Sequence, residues 1–203
     1  MKLVIITGFL GSGKTTLLLG LVRRLTEGNG ISLVILENEV GEIGIDGAYL
    51  ETQGLQVKEL YSGCVCCQLA GDLVTTLQEI KAALDPDCVF LEASGLARVE
   101  SVLQTLDRYS REVDRVLVVS LADLERSELF GEEPIPFVVN QVRHADLVVL
   151  NKIDSGGEAL IEGMEKRMAE INPDAAVVRA SALHGTNLGE VAERVEAWMR
   201  TTS

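Results

Sequence analysis

The sequence predicts an α/β fold, a mostly parallel sheet with helices on both faces. Two observations carry that prediction. Short apolar, β-branched runs alternate with longer segments of helical period, the pattern of βα units, and the first such run leads into a glycine-rich loop that opens a helix. The runs Leu3–Thr7, Ser32–Leu36, Val57–Leu60, Cys88–Leu91, Arg115–Ser120, Asp146–Leu150 and Ala176–Arg179 read as strands. Their near-continuous apolar character is that of strands covered on both faces. Between them Lys14–Thr26, Asp72–Leu84, Arg98–Leu106, Phe137–His144, Gly157–Ile171 and Leu188–Met199 read as helices. The last puts Leu188, Val191, Ala192, Val195 and Trp198 on one apolar stripe. Gly28-Asn29-Gly30 reads as a turn and Gly41 to Gly47 as a glycine-punctuated loop. No internal repeat, low-complexity tract or Pro/Ser-rich linker interrupts the pattern, so residues 1–203 are read as one domain.

Composition narrows the function. The 203 residues are 47% hydrophobic, enough for one sizeable core, and carry 18 Lys plus Arg against 31 Asp plus Glu, a net charge of −13. That acid excess argues against a duplex nucleic-acid binder and against a polybasic membrane-surface protein. No apolar run approaches the roughly 18 residues of a membrane span. The stretch Leu3-Val4-Ile5-Ile6 is short for a signal peptide and no small-residue cleavage site follows, so the chain is expected to be cytoplasmic. Three of its four cysteines crowd into Cys64, Cys66 and Cys67, which in a reducing compartment points to metal binding or redox chemistry rather than a disulfide framework.

Gly8-Phe9-Leu10-Gly11-Ser12-Gly13-Lys14-Thr15 fits the phosphate-loop pattern G-x-x-x-x-G-K-[ST], directly after a strand and opening a helix. A P-loop NTPase sheet is therefore expected. The glycines let backbone N–H groups from Gly11, Ser12, Gly13, Lys14, Thr15 and Thr16 turn toward phosphate oxygens, and the helix N-terminus adds a favourable dipole. Lys14 would reach the β and γ phosphates, and the Thr15 hydroxyl would coordinate Mg²⁺. Glu92 ends an apolar strand before Ala93-Ser94-Gly95, where a carboxylate would face the phosphate loop and hold Mg²⁺ directly or through water, the bland alternative being a solvated strand-end glutamate. Asn151-Lys152-Ile153-Asp154 follows the strand ending at Leu150. Asp154 can accept from the N1–H and exocyclic amine of guanine, donors that adenine does not present in that arrangement. A bare N-K-x-D is also an ordinary polar turn. Its distance from the phosphate loop, with Ser181-Ala182-Leu183 after the next strand as a backbone loop for the guanine oxygen, favours GTP.

Gly63-Cys64-Val65-Cys66-Cys67 offers three soft thiolates. Structural zinc sites normally use four protein ligands, so three leave a position open, which suits a carrier more than a staple. A redox-sensing cluster, small core residues and a loop-holding zinc site are the competing readings. Cys88 lies inside an apolar strand and reads as a core thiol, while His144 and His184 read as structural or solvated. Glu37-Asn38-Glu39-Val40-Gly41-Glu42-Ile43-Gly44-Ile45-Asp46 reads as a switch loop approaching the γ-phosphate and Mg²⁺, or else as a solvated acidic loop. Glu37 and Glu42 are its candidate metal carboxylates, and Glu42 its candidate for the hydrolytic step. The sequence does not single out which carboxylate positions the attacking water.

A phosphate loop reading GFLGSGKTT, followed in order by ENEVGEIGID, GCVCC, FLEASGLA and NKID, resembles the CobW-like metallochaperone GTPases, relatives of the nickel-insertion GTPases of urease and hydrogenase maturation. The resemblance spans nearly the whole chain, and GCVCC with the acid–glycine loop is its specific part. It implies a mostly parallel P-loop sheet, hydrolysis of GTP to GDP and phosphate, and a metal held by the cysteine motif in a GTP-dependent way. By position it implies that Lys14, Thr15 and Glu92 serve phosphate and Mg²⁺, that Asn151 and Asp154 serve guanine, and that Cys64, Cys66 and Cys67 serve the transferred metal. Zn²⁺ is the expected metal, and Co²⁺ and Ni²⁺ share much of its thiolate chemistry. The family usually continues into a smaller C-terminal domain and often carries a histidine-rich stretch. This chain ends at Ser203 with two histidines in all, so the GTPase domain alone is expected.

The expected mechanism is metal delivery: GTP draws the two loops into a tight metal site, and hydrolysis releases the metal to a client metalloprotein. No arginine finger or water-positioning glutamine is evident, so intrinsic turnover is expected to be slow. A partner or a nucleotide-dependent homodimer would complete the site. Two other readings stay open. One is a GTPase switch whose cysteines sense oxidation; the other is a P-loop kinase, against which the guanine signature counts.

Overall fold

The computed structural model describes residues 1–26, 31–37, 56–59 and 69–201, with the side chains of Glu37, residues 56–59 and residues 69–72 left out. Glu42, Cys64, Cys66 and Cys67 lie outside the described residues, as do the expected turn at 28–30 and Leu60.

The chain runs β1 (Lys2–Gly8), α1 (Lys14–Thr26), β2 (Leu33–Glu37), β3 (Gln56–Glu59), α2 (Leu69–Leu84), β4 (Cys88–Glu92), α3 (Val99–Tyr109) and β5 (Arg115–Asp123). A 3-10 segment at Leu124–Phe130 leads to α4 (Pro136–Arg143) and β6 (Leu147–Asn151), and a second at Ile153–Ser155 leads to α5 (Glu158–Ile171), β7 (Ala176–Arg179) and α6 (Leu188–Arg200). The strands form one seven-stranded sheet in the order β3-β2-β4-β1-β5-β6-β7, and every pairing between these strands is parallel.

Strand β1 is central and explains why its sequence is a solid apolar run. Val4 and Ile6 face a core shared with α1 and α6, while Leu3 and Ile5 face a second core shared with α2, α3, α4 and α5. A strand with helices on both faces buries both sets of alternate side chains, so no polar alternation survives. All seven predicted strands are present. Strand β5 extends beyond its predicted end at Ser120 as far as Asp123, whose carboxylate accepts from the Glu125 N–H at 3.0 Å and starts the first 3-10 segment. Helix α2 begins at Leu69, three residues before its predicted start at Asp72, and α3 runs past Leu106 to Tyr109. Cys88 is a core thiol as read, and burial pushes it up to about 12. Among the described residues no helix is long and apolar enough to cross a membrane.

This strand order sets the site. The chain builds outward from β1 on one side through β2 and β3, returns to β4 beside β1, and then builds the other side through β5, β6 and β7. Ligands of such sheets bind at the carboxyl ends of the strands, where the order reverses. Every candidate residue that the structure describes sits at that edge.

Candidate nucleotide-binding site

Residues Phe9 to Gly13 carry the chain from the end of β1 to the start of α1, and the loop needs glycine where it turns back on itself. Gly13 has φ +94°, and a Cβ there would lie 2.5 Å from Asn151 Nδ2. That nitrogen donates to the Ser12 carbonyl at 2.7 Å, and the Asn151 Oδ1 accepts from the Ala182 N–H at 2.9 Å. One side chain, 2% exposed, therefore ties the phosphate loop to the end of β6 and to the Ser181–Leu183 loop. Lys14 is buried and folds back toward its own loop, its ammonium 3.4 Å from the Phe9 carbonyl.

Thr15 and Glu92 are brought together. The Thr15 hydroxyl donates to Glu92 Oε1 at 2.8 Å, and Glu92 is only 4% exposed. A hydroxyl and a carboxylate side by side at the mouth of a phosphate loop are the hard oxygen donors that Mg²⁺ takes. The Ser12 hydroxyl, buried in the same loop, has no hydrogen-bond partner among the described residues. The residues present fit a Mg²⁺–triphosphate. Strand register aligns Glu92 with Ile6 of β1 on one side and Glu37 of β2 on the other, and Glu37 in turn with Glu59 of β3. The segment after Glu92 is pinned as well: Gln141, buried in α4, donates to the Gly95 carbonyl at 3.3 Å. Gly95 packs so closely on Leu10 that a Cβ would come within 2.9 Å of the Leu10 backbone nitrogen.

At the other end, Asp154 lies in the short 3-10 segment after β6. Its carboxyl titrates below the ordinary range, because the Ser181 hydroxyl bonds to it and the His184 imidazole stands beside it, Nε2 3.4 Å from Oδ2. An ionised carboxylate is an acceptor only, the state needed to receive the two guanine donors. Leu183, two residues after Ser181, is an exposed apolar side chain, 77% accessible. Lys152, in a left-handed conformation at φ +61°, bridges Asp123 Oδ2 at 2.9 Å and Glu125 Oε2 at 2.7 Å. Burial alone would lower its pKa, and the hydrogen bonds to Glu125 and Asp123 outweigh that and raise it.

Of the predicted residues, Gly11, Ser12, Gly13, Lys14, Thr15, Thr16 and Glu92 gather at the phosphate end, and Asn151, Lys152, Asp154, Ser181, Ala182 and Leu183 at the base end. Glu37 ends β2 beside Glu92. Sequence reasoning missed Asp123, Arg126 and Gln141. Arg126 lies against the phosphate loop, its Nη1 donating to the Leu10 carbonyl and its guanidinium 5.3 Å from the centre of the Phe9 ring. Leu10 for Arg126, Gly95 for Gln141 and Lys152 for Asp123 are far away in sequence, so no local pattern marked these contacts. His184, read as structural or solvated, stands at the base end.

The chain matches the family described as CobW/HypB/UreG, nucleotide-binding domain, over residues 2–179. It is 33% identical over 187 residues to the zinc chaperone YjiA of Escherichia coli, which covers 87% of this chain and 56% of that relative. It is 30% identical over 226 residues to the zinc chaperone CobW of a Sinorhizobium species, covering 91% and 62%. The chain thus spans a little more than half the length of these relatives. Among solved structures, Zn(II)-bound YjiA GTPase from Escherichia coli superposes with a TM-score of 0.63 at 28% identity, over 88% of this chain and 57% of that one. The hydrogenase maturation factor HypB from Archaeoglobus fulgidus superposes with a TM-score of 0.71 over 98% and 91%; at 20% identity that likeness bears on the fold alone. With the family match running from the first strand to the last, and the phosphate, Glu92 and Asn151–Asp154 motifs in order along one sheet edge, the chain belongs to the CobW/HypB/UreG family of P-loop GTPases.

Proposed function

We propose that this chain is the GTP-hydrolysing switch of a cytoplasmic metal-delivery protein. GTP binding assembles a site for a transition metal, Zn²⁺ first and Co²⁺ or Ni²⁺ as alternatives, and hydrolysis loosens that site so that a client metalloprotein receives the metal. In this reading the N–H groups from Gly11 to Thr16 cradle the phosphates, with Lys14 neutralising their charge, and Thr15 and Glu92 hold Mg²⁺. Bound there, Mg²⁺ offsets the charge of the β and γ phosphates. Asn151, Lys152 and Asp154 hold guanine together with Ser181, Ala182 and Leu183. Cys64, Cys66 and Cys67 take the transferred metal, with carboxylates from Glu37 and Glu42, and Glu42 also serves hydrolysis. A second copy of the chain, joined in the GTP state, would complete the site.

One observation carries this reading. The register Ile6–Glu92–Glu37–Glu59 runs across β1, β4, β2 and β3, so three carboxylate-bearing residues stand at one level on neighbouring strands, two residues short of the phosphate loop's Gly8. Neighbouring strands lie about 4.8 Å apart. Glu37, where the acidic segment begins, and Glu59, five residues before Cys64 in sequence, therefore stand within about 10 Å of the Glu92 position. The family and the zinc-chaperone relatives support the same reading.

The test is Zn²⁺ affinity by chelator competition under reducing conditions, in Mg²⁺–GDP and in a slowly hydrolysed GTP analogue, on the native chain and on Cys66→Ala. Coupling requires that the metal distinguish the two nucleotide states, and tenfold corresponds to about 1.4 kcal/mol. Binding at least tenfold tighter with the GTP analogue, lost in Cys66→Ala, is the expected result. Equal affinities for Zn²⁺, Co²⁺ and Ni²⁺ in both states would overturn it.

A further inference from the structure

The first 3-10 segment bends at Arg126, where φ is −120° and ψ 35°, and its guanidinium lies against the phosphate loop. Nη1 donates to the Leu10 carbonyl, and Nη2 would be 3.1 Å from a Cβ placed on Gly11. The Phe9 ring lies under the guanidinium at 5.3 Å. Asp123, almost wholly buried, holds the other side, its Oδ2 4.0 Å from Nε and 2.9 Å from Lys152 Nζ. Arg126 therefore has a fixed station, with a carboxylate behind it, an aromatic face beneath it and a single peptide oxygen in front.

That oxygen belongs to the Leu10–Gly11 peptide unit, whose other end is the Gly11 N–H. In a phosphate loop the N–H groups turn toward the phosphates and the carbonyls turn away. A hydrogen bond to a peptide carbonyl polarises the whole unit and strengthens its N–H as a donor, the cooperative effect of linked hydrogen bonds. A cationic donor gives the larger version of that effect.

We propose that Arg126 is a positioning residue for GTP hydrolysis that acts through the Leu10–Gly11 peptide, making the Gly11 N–H a stronger donor to the phosphate oxygen that gains charge in the transition state. In the reaction a water oxygen bonds to the γ-phosphorus and the bond from that phosphorus to the β–γ bridging oxygen breaks. The electron pair of the broken bond stays on the GDP β-phosphate, and the water proton ends on the departing inorganic phosphate. Charge thus accumulates at the leaving oxygen as the reaction proceeds, and a donor strengthened there favours the transition state over the bound ground state. The proposal rests on the reading of Gly8–Thr15 as the phosphate cradle. It also gives Asp123 a role: one carboxylate holds both the Lys152 ammonium at the base end and Arg126 at the phosphate end.

The test is single-turnover hydrolysis with protein in excess over GTP, on the full chain and on Arg126→Ala and Arg126→Met, with affinity for a slowly hydrolysed Mg²⁺–GTP analogue, Mg²⁺–GDP binding and thermal unfolding measured in parallel. Losing one oxyanion donor costs about 10²–10³ in rate, so weakening one is expected to cost about tenfold. Affinity for the GTP analogue is expected to stay within about twofold, since the bridging oxygen of the bound ground state has not yet gained charge. Millimolar guanidinium is expected to restore much of the lost rate in Arg126→Ala while leaving the native rate unchanged, which a mere loop brace would not allow. A native rate in both variants would overturn the proposal, as would a rate loss matched by an equal loss of affinity for the GTP analogue. Failure of the native chain to bind Mg²⁺–GDP would instead overturn the phosphate-cradle reading beneath it.

Discussion

Asn151→Ala tests whether the two halves of the nucleotide site are held by one side chain. The substitution removes the donor to the Ser12 carbonyl at 2.7 Å and the acceptor for the Ala182 N–H at 2.9 Å, both in buried surroundings. Each backbone group left without its partner costs about 1–3 kcal/mol, the lower figure applying if water enters the space. With two groups exposed to that penalty, a loss of about 2–4 kcal/mol is expected, within the 5–15 kcal/mol typical of a folded domain. For a chain of this size each kcal/mol lowers the melting temperature by roughly 2–4 °C, so the variant should melt about 5–15 °C lower. The second reading comes from ligand. GDP at one hundred times its Kd should stabilise the native chain by about 2.7 kcal/mol. If freeing both loops weakens binding a hundredfold, the same GDP concentration stabilises the variant by only about 0.4 kcal/mol, a shift of roughly 1 °C. Thermal unfolding with and without Mg²⁺–GDP reads both quantities. A melting temperature within 2 °C of native (less than the roughly 2–4 °C that one kcal/mol gives) together with a full GDP shift would refute the bridging role.

Gly13→Ala should be more severe for binding, since the new Cβ would sit 2.5 Å from Asn151 Nδ2 at a φ of +94° that side chains avoid. Strain of about 1–3 kcal/mol and loss of GDP binding by calorimetry are expected, and retained binding would show that the loop has room to shift. The pH dependence of guanine affinity follows from Asp154, whose carboxyl is held down first by the Ser181 hydroxyl and then by His184. A depressed carboxyl stays ionised through the usual carboxylate range, so GDP affinity should hold there and fall only as pH drops through the lowered value. In Ser181→Ala the dominant cause is gone, and the fall should begin at higher pH in an affinity titration. An unchanged profile would mean that the hydroxyl does not set the carboxylate's state.

The sheet was legible in the sequence because strands packed between two helical layers are apolar on both faces, as Leu3 to Ile6 and Cys88 to Leu91 are. Helix α1 was legible to the residue because the phosphate loop fixes its start. The start of α2 was less so, because Leu69-Ala70-Gly71 carries no capping signal ahead of Asp72. The 3-10 segment at Leu124–Phe130 was not legible at all, since a short turn capped by a strand-end carboxylate has no period to detect. Arg126 and Gln141 escaped for a different reason. Arg126 reads as a solvated charge and Gln141 as one more polar helical residue, and only folding brings them to Leu10 and Gly95, 116 and 46 residues away. The signal that was available is indirect. A glutamine on the core-facing side of a helix, between Val138 and Val142, needs a partner once buried, because an unsatisfied amide is costly.

The strand order also constrains how nucleotide and metal can be coupled. Guanine is common to GDP and GTP, so the contacts proposed for Asp154, Asn151 and the Ser181–Leu183 loop would bind both states alike and could not shift an equilibrium between them. The discriminating group is the γ-phosphate, and the hydroxyl–carboxylate pair of Thr15 and Glu92 marks its end of the site. The base half of the edge is built on β5, β6 and β7, where Asp123 pairs in register with Asn151. The other half, β4, β2 and β3, carries Glu92, Glu37 and Glu59 at one level. The strands from which the segments proposed to hold metal follow therefore stand on the side proposed for the γ-phosphate, and those preceding the segments proposed to read guanine stand on the other. A metal site attached to the base half could have been tight but would have been indifferent to hydrolysis. Attached to the Glu92 half, it can respond to the loss of one phosphate without any change in how the base is held.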